Sequence, residues 1–173
     1  MLRGGVGLPA VIFNFFLYSF FMTIPQEKLD MLHQIYENAL PFNRLVGMRI
    51  LSLEGRQAVV RVDMRDDLVG NPFRGSLHGG VIGAVIDVAG GLAASLGLLE
   101  ALADLPDEEI GKRLARMGTV DLRVDYLSPG LGEHFVCRAE SLRTGQKIGH
   151  TRMDFDNDQG ELIAVGMGTY YLG

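Results

Sequence analysis

In the stretch Leu77-His78-Gly79-Gly80-Val81-Ile82-Gly83-Ala84-Val85-Ile86-Asp87, a polar, glycine-rich turn runs into an apolar segment that carries one carboxylate. From Gly79 to Leu99 the only ionisable side chain is Asp87, set among Val, Ile, Ala, Leu and six glycines. A helix that is apolar on every side is a buried one. A carboxylate is costly to bury without a partner or a task, and such groups concentrate at functional sites. Asp87 is therefore the first candidate for chemistry.

The start of this helix supplies a second element. Asn71-Pro72-Phe73-Arg74-Gly75-Ser76 is turn-forming sequence, so the helix should begin at the His78-Gly79-Gly80 step. The first amides of a helix have no intrahelical partner and sit at the positive end of its dipole. Glycine leaves a carbonyl oxygen free to approach those N–H groups, which makes a candidate oxyanion hole. Asp87, however, lies about 12 Å further along the helix axis at the standard rise. One carbonyl cannot touch both within a single chain. A shared reaction therefore needs Gly79 of one helix to face Asp87 of a neighbouring chain.

The elements that must hold these groups follow from patterning. Gln26 to Asn38 reads as an amphipathic helix with Leu29, Leu32, Ile35 and Tyr36 on one stripe, ended or turned at Pro41. Val46 to Leu53 and Gln57 to Met64 read as a strand pair joined at Glu54-Gly55-Arg56, followed by a loop and the long helix. Pro106-Asp107-Glu108-Glu109 opens an exposed helix running to about Ala115. Four strands complete the chain: Thr119 to Leu127, Glu133 to Arg143, Ile148 to Asp156 and Glu161 to Tyr171. In the first, Val120, Leu122, Val124 and Tyr126 alternate against Asp121, Arg123 and Asp125. Short turns between consecutive strands imply antiparallel pairing. The expectation is an α+β domain in which an antiparallel sheet curls around one helix whose glycines let the sheet backbone come close.

Composition excludes other classes. The 173 residues fit one domain with a real core, and a net charge of −5 with no Lys/Arg run argues against nucleic acid. Cys137, the single cysteine, falls in strand alternation and reads as a packed thiol. His33, His134 and His150 show no metal-ligand spacing, so no metal is expected. Residues 1–21 form an apolar N-terminal extension expected to lie outside the core fold, with a start at Met22 and the domain over 22–173. Any membrane association would run through that extension alone, since its uncharged length approaches the roughly 20 residues of a span.

The His78-Gly79-Gly80-x6-Asp87 spacing, followed by Gly118-Thr119-Val120-Asp121-Leu122-Arg123-Val124-Asp125-Tyr126-Leu127-Ser128-Pro129-Gly130, resembles the PaaI-like hotdog-fold thioesterases. Within them it looks closest to the bacterial subgroup acting on medium- and long-chain acyl-CoA, over about Pro41 to Gly173. The resemblance implies a hotdog fold, a homodimer or a dimer of dimers, and active sites at the dimer interface. By similarity Asp87 is the catalytic carboxylate, as general base or nucleophile. The Gly79 N–H polarises the thioester carbonyl, His78 shapes the turn, and Gly80 beside them contacts substrate. Thr119 stands where a related hydroxyl places the water.

Several relatives carry an asparagine where this chain has Pro72, so substrate binding passes by similarity to Asn71, one residue earlier. Arg143, Gly145 and Lys147 would contact coenzyme A, whose phosphates call for Lys or Arg. The implied enzyme is a cytoplasmic acyl-CoA hydrolase of fatty acid metabolism that needs no cofactor. Two other classes share the fold. One is a non-catalytic acyl-CoA binding or regulatory protein, which would not need the carboxylate. The other is an acyl-thioester hydratase or dehydratase, whose acid and base are placed differently.

Overall fold

The structure, a computed structural model, describes residues 24–173; the expected extension over 1–21 and the start at Met22 lie outside them. Helix α1 (Gln26–His33) opens behind Pro25 and sinks Leu32 into the core with Leu29 packed against it. A π-type turn over Gln34–Ala39 continues it and brings Tyr36 up to the long helix. Pro41 then opens a second short helix, α2 (Pro41–Val46), because proline at the first helical position forfeits no hydrogen bond. Gly47, at φ 81°, closes α2 in the left-handed region. This is why β1 (Arg49–Glu54) begins after Gly47 and not at Val46 as the pattern suggested.

Strand β2 (Gln57–Asp63) pairs with β1. The stretch expected to be a loop holds a 3-10 turn (Asp66–Leu68) and a small hairpin of β3 (Val69–Asn71) and β4 (Ser76–Leu77). The long helix α3 spans Gly79–Ala101 and α4 spans Asp107–Leu114. The chain ends with β5 (Gly118–Tyr126), β6 (His134–Thr144), β7 (Ile148–Asn157) and β8 (Leu162–Tyr171). Helix α4 is less exposed than its acidic start suggests, because Ile110 anchors it at 1% exposure.

The long strands form one antiparallel sheet in the order β1-β2-β6-β7-β8-β5. Short turns do pair β6 with β7 and β7 with β8. They do not pair β5 with β6. The chain after β5 is held elsewhere: the Leu127 and Ser128 amides both donate to the Ile163 carbonyl, and Gly130 accepts from Leu77. Strand β5 thus runs beside β8 at one edge, while β6 joins β2.

Helix α3 lies in the curl of this sheet, the hotdog architecture, and buries Ile82, Val85, Ile86, Leu92, Leu96 and Leu99. Each such side chain is worth roughly 1.5–3 kcal/mol on burial. The helix is long and apolar enough to cross a membrane by composition alone, yet 67% of its most apolar window is buried inside the fold. Its glycines admit sheet side chains, not the sheet backbone. A Cβ built on Gly90 would overlap the Tyr170 hydroxyl, and one on Gly97 would meet the Thr144 and Ser141 hydroxyls.

Three weak acids are packed with their neutral forms favoured. Burial pushes the Cys137 thiol and the Tyr36 and Tyr170 phenols above their ordinary ranges. Up to about pH 8.5 the folded and unfolded chains hold these protons equally. Above it the unfolded thiol ionises while the native one does not, so unfolding gains ground as pH rises. Stability should fall by about 1.4 kcal/mol per pH unit from Cys137 alone, and by about 4 once the unfolded tyrosines ionise above about pH 10. Urea unfolding from pH 8 to 11 checks this, and Cys137→Ala should remove the first part of the decline. A decline that persists unchanged in that variant would refute the assignment.

Candidate active site

His78 caps α3. Its Nδ1 accepts the Gly80 N–H at 2.8 Å, while its carbonyl accepts from Val81 and Ile82. That leaves the Gly79 N–H without an acceptor among the described residues, pointing out of the positive end of the helix. The Tyr126 hydroxyl donates to the Gly79 carbonyl at 2.8 Å and sits beside Gly83, with the ring against Gly79. The turn is fixed from both sides, and one amide is free to polarise a carbonyl oxygen. The Gly80 amide, by contrast, is already engaged.

Asp87 is half-buried on the same continuous helix, about 12 Å beyond Gly79 at helical rise. Its Oδ1 accepts the Thr119 hydroxyl at 2.8 Å and shares the Tyr170 hydroxyl, at 3.2 Å, with its own carbonyl at 2.9 Å. Its Oδ2 accepts nothing among the described residues. No fully buried side-chain oxygen there lacks a partner, and Asp87 is only half-buried, so Oδ2 is the carboxylate oxygen left unengaged by these residues. One carboxylate oxygen is gripped and the other is presented. That is the arrangement a general base or nucleophile needs.

Thr119 reaches Asp87 because β5 is irregular. The pairing steps from Thr119–Tyr170 to Asp121–Thr169, leaving Val120 as an extra, bulged residue that is 61% exposed. Strict alternation would set Thr119 on the face of Asp121 and Arg123. The bulge turns it inward instead, as bulges beside active sites commonly do. Thr119 and Tyr170 are then cross-strand partners, and both hydroxyls converge on Oδ1.

Sequence patterning does not find Tyr126 or Tyr170, which read as ordinary strand residues. The signal for Tyr170 is the pair Gly90 and Gly168, two small residues from distant segments that each clear room for it.

The other expected residues stand apart. Asn71 Oδ1 accepts the Phe73 amide at 3.0 Å, and its carbonyl accepts from Arg74 and Gly75, so it closes the β3–β4 turn. Arg143, Gly145 and Lys147 lie at the β6–β7 turn. There Gly145 and Lys147 line a groove with Leu98, Leu102 and Arg113 at the far end of α3. Leu98 is about 16 Å beyond Asp87 along the helix. Among the described residues no three His, Cys, Asp or Glu side chains are grouped to hold a metal ion.

The sequence and the fold have counterparts in known proteins. The sequence profile of the thioesterase superfamily matches residues 74–164, which takes in the turn, Asp87 and Thr119. The medium/long-chain acyl-CoA thioesterase YigI of Escherichia coli K12 is 36% identical over 148 residues, covering 86% of this chain and 96% of that protein. A crystal structure of a Shewanella oneidensis protein related to the thioesterase superfamily superposes with a TM-score of 0.83 at 38% identity, over 86% of this chain and 97% of that one. The E. coli PaaI protein from the phenylacetic acid degradation operon shares the fold, with a TM-score of 0.69 at 20% identity over 87% and 96% of the two chains. With a gripped carboxylate, an open helix N-terminus and these relatives, the chain belongs to the thioesterase superfamily and is a thioester hydrolase.

Proposed function

We propose that the protein hydrolyses medium- or long-chain acyl-CoA to a free fatty acid and coenzyme A, with Asp87 as the reacting carboxylate. The observation that carries this reading is the asymmetry of Asp87: Oδ1 is held by two hydroxyls, and Oδ2 accepts from none of the described residues. As general base, Oδ2 takes a proton from water while the water oxygen bonds to the thioester carbon. The carbonyl oxygen gains charge against a Gly79 N–H. The C–S bond then breaks, and the thiolate leaves with the proton. As nucleophile, Oδ2 would bond to that carbon and expel the thiolate, leaving an anhydride on Asp87 that water cleaves in a second step to the free acid and the restored carboxylate.

The spacing of Gly79 and Asp87 on one helix supports a site shared between two chains. Strand β5 suits the contact, since it is a sheet edge with Val120 and Tyr126 exposed and Thr119 beside Asp87. We assign the protein to homodimers, singly or paired, in the cytoplasm. An apolar cavity of about 310 Å³, lined by Leu32, Ile35, Leu40, Leu114 and Met117 beside Ser95, would take the acyl tail. Ser95 stands about 12 Å beyond Asp87 on α3. Arg143 and Lys147 would meet the coenzyme A phosphates.

The test is a hydrolysis panel from acetyl-CoA to palmitoyl-CoA with the full-length protein. The longer chains should exceed acetyl-CoA in kcat/KM by about tenfold or more, since each buried CH₂ is worth about 0.8 kcal/mol. Tight binding without turnover would favour an acyl-CoA binding protein. Hydration of an enoyl-CoA in place of hydrolysis would favour a hydratase.

A further inference from the structure

Tyr170 is 2% exposed, yet its ring ends in a hydroxyl that must find a partner when buried. It comes from β8, one strand in from the β5 edge, and reaches α3 through a clearing made on two elements. On the helix side the clearing is Gly90, where a Cβ would overlap the phenol oxygen; on the sheet side it is Gly168, two residues before Tyr170 on its own strand. The hydroxyl ends between the Asp87 carbonyl at 2.9 Å and Asp87 Oδ1 at 3.2 Å. Burial first, then the nearby Asp87 charge, hold its proton on well above the ordinary tyrosine range. The group is a permanent donor.

We propose that Tyr170 is a positioning residue. Its hydroxyl, with that of its cross-strand partner Thr119, pins Oδ1 of Asp87 so that Oδ2 alone is presented to the reacting atoms. The inference rests on Asp87 being the reacting carboxylate. A free aspartate at this helical position turns about two side-chain bonds and could offer either oxygen in several directions. Tyr170 bridges the main chain and side chain of the same residue, so it ties the carboxylate to the helix that carries it. Its ring packs behind Asp87, against Gly90, Gly91 and Gly168. It therefore acts on turnover through Asp87 alone.

The experiment compares the full-length protein with Tyr170→Phe, Gly90→Ala and Asp87→Asn, using dodecanoyl-CoA and reporting kcat per mole of folded enzyme. In Tyr170→Phe, kcat should fall about 10- to 100-fold while KM stays within about twofold, the pattern of a misplaced reacting group. A merely structural tyrosine would lower thermal stability and leave the kcat of the folded fraction intact. Gly90→Ala keeps the phenol but drives its oxygen off Asp87, so it should show the same kcat-selective loss and carries the test if Tyr170→Phe does not fold. The double variant Asp87→Asn/Tyr170→Phe should lose no more than Asp87→Asn alone. A kcat within about twofold of the parent in either single variant, with Asp87→Asn inactive, overturns this inference and leaves the reading of Asp87 standing. Turnover retained in Asp87→Asn overturns both.

Discussion

Asp87→Asn is expected to lower kcat by about 10²- to 10⁴-fold, the usual worth of a positioned general base, while the protein stays folded. Asparagine keeps the shape of the side chain and retains one carbonyl oxygen. With that oxygen at the Oδ1 position, the Thr119 and Tyr170 hydroxyls keep their acceptor, so nothing in the packing is left unpaired. What changes is the other position, where an NH₂ can neither take a proton nor attack a thioester. Asp87→Ala should lose as much activity at a small cost in stability, because Tyr170 keeps the Asp87 carbonyl as acceptor and Thr119 is exposed. Acyl-CoA turnover and a thermal midpoint on the same preparations decide the matter. An Asn variant within about tenfold of the parent would remove Asp87 from the chemistry.

The parts of this site that could be read in the sequence are those that lie close together along the chain. The apolar run around Asp87 announces a buried helix, and the glycines after His78 announce its open end. A rise of about 1.5 Å per residue then separates the two groups without any coordinates. Strands β6 and β7 alternate along most of their length because each has one face on α3, as in Phe135, Cys137 and Ala139 against Val136, Arg138 and Glu140.

Strand β5 is different. As an edge strand it leaves Val120 and Tyr126 more than half exposed, so its alternation does not report a core face. Its bulge is a matter of pairing with β8, and pairing partners are not written in a single strand. The same holds for Tyr170, whose role depends on Gly90 of α3 and Gly168 of β8 both leaving room for it. Long-range coincidences of small residues become visible only once the chain is folded. The helix α2 and the β3–β4 hairpin escape for a local reason: each is too short to show a period.

Gly79→Pro should reduce kcat by about 10²- to 10³-fold, the typical cost of losing one oxyanion donor, with little harm to the fold. Gly79 is the first residue of α3, where proline is favoured and its missing N–H breaks no intrahelical bond. His78, at φ −66° and ψ 131°, already has the extended backbone that a following proline demands. A Cβ at Gly79 would rest 3.5 Å from the Tyr126 ring, an ordinary contact. Gly79→Ala is therefore the control: it adds the carbon and keeps the amide, and it should stay active. A Gly79→Pro variant that turns over within about tenfold of an active Gly79→Ala would refute the oxyanion role.

The same variant tests the shared site. Neither Gly79→Pro nor Asp87→Ala should turn over alone. A mixed dimer of the two has one site with both groups intact and one with neither, because a two-fold axis exchanges the contributions. Random reassembly of equal amounts should then restore activity to about one quarter of all sites. Mixed dimers that form yet remain inactive would refute the exchange of Gly79 and Asp87 between the two chains.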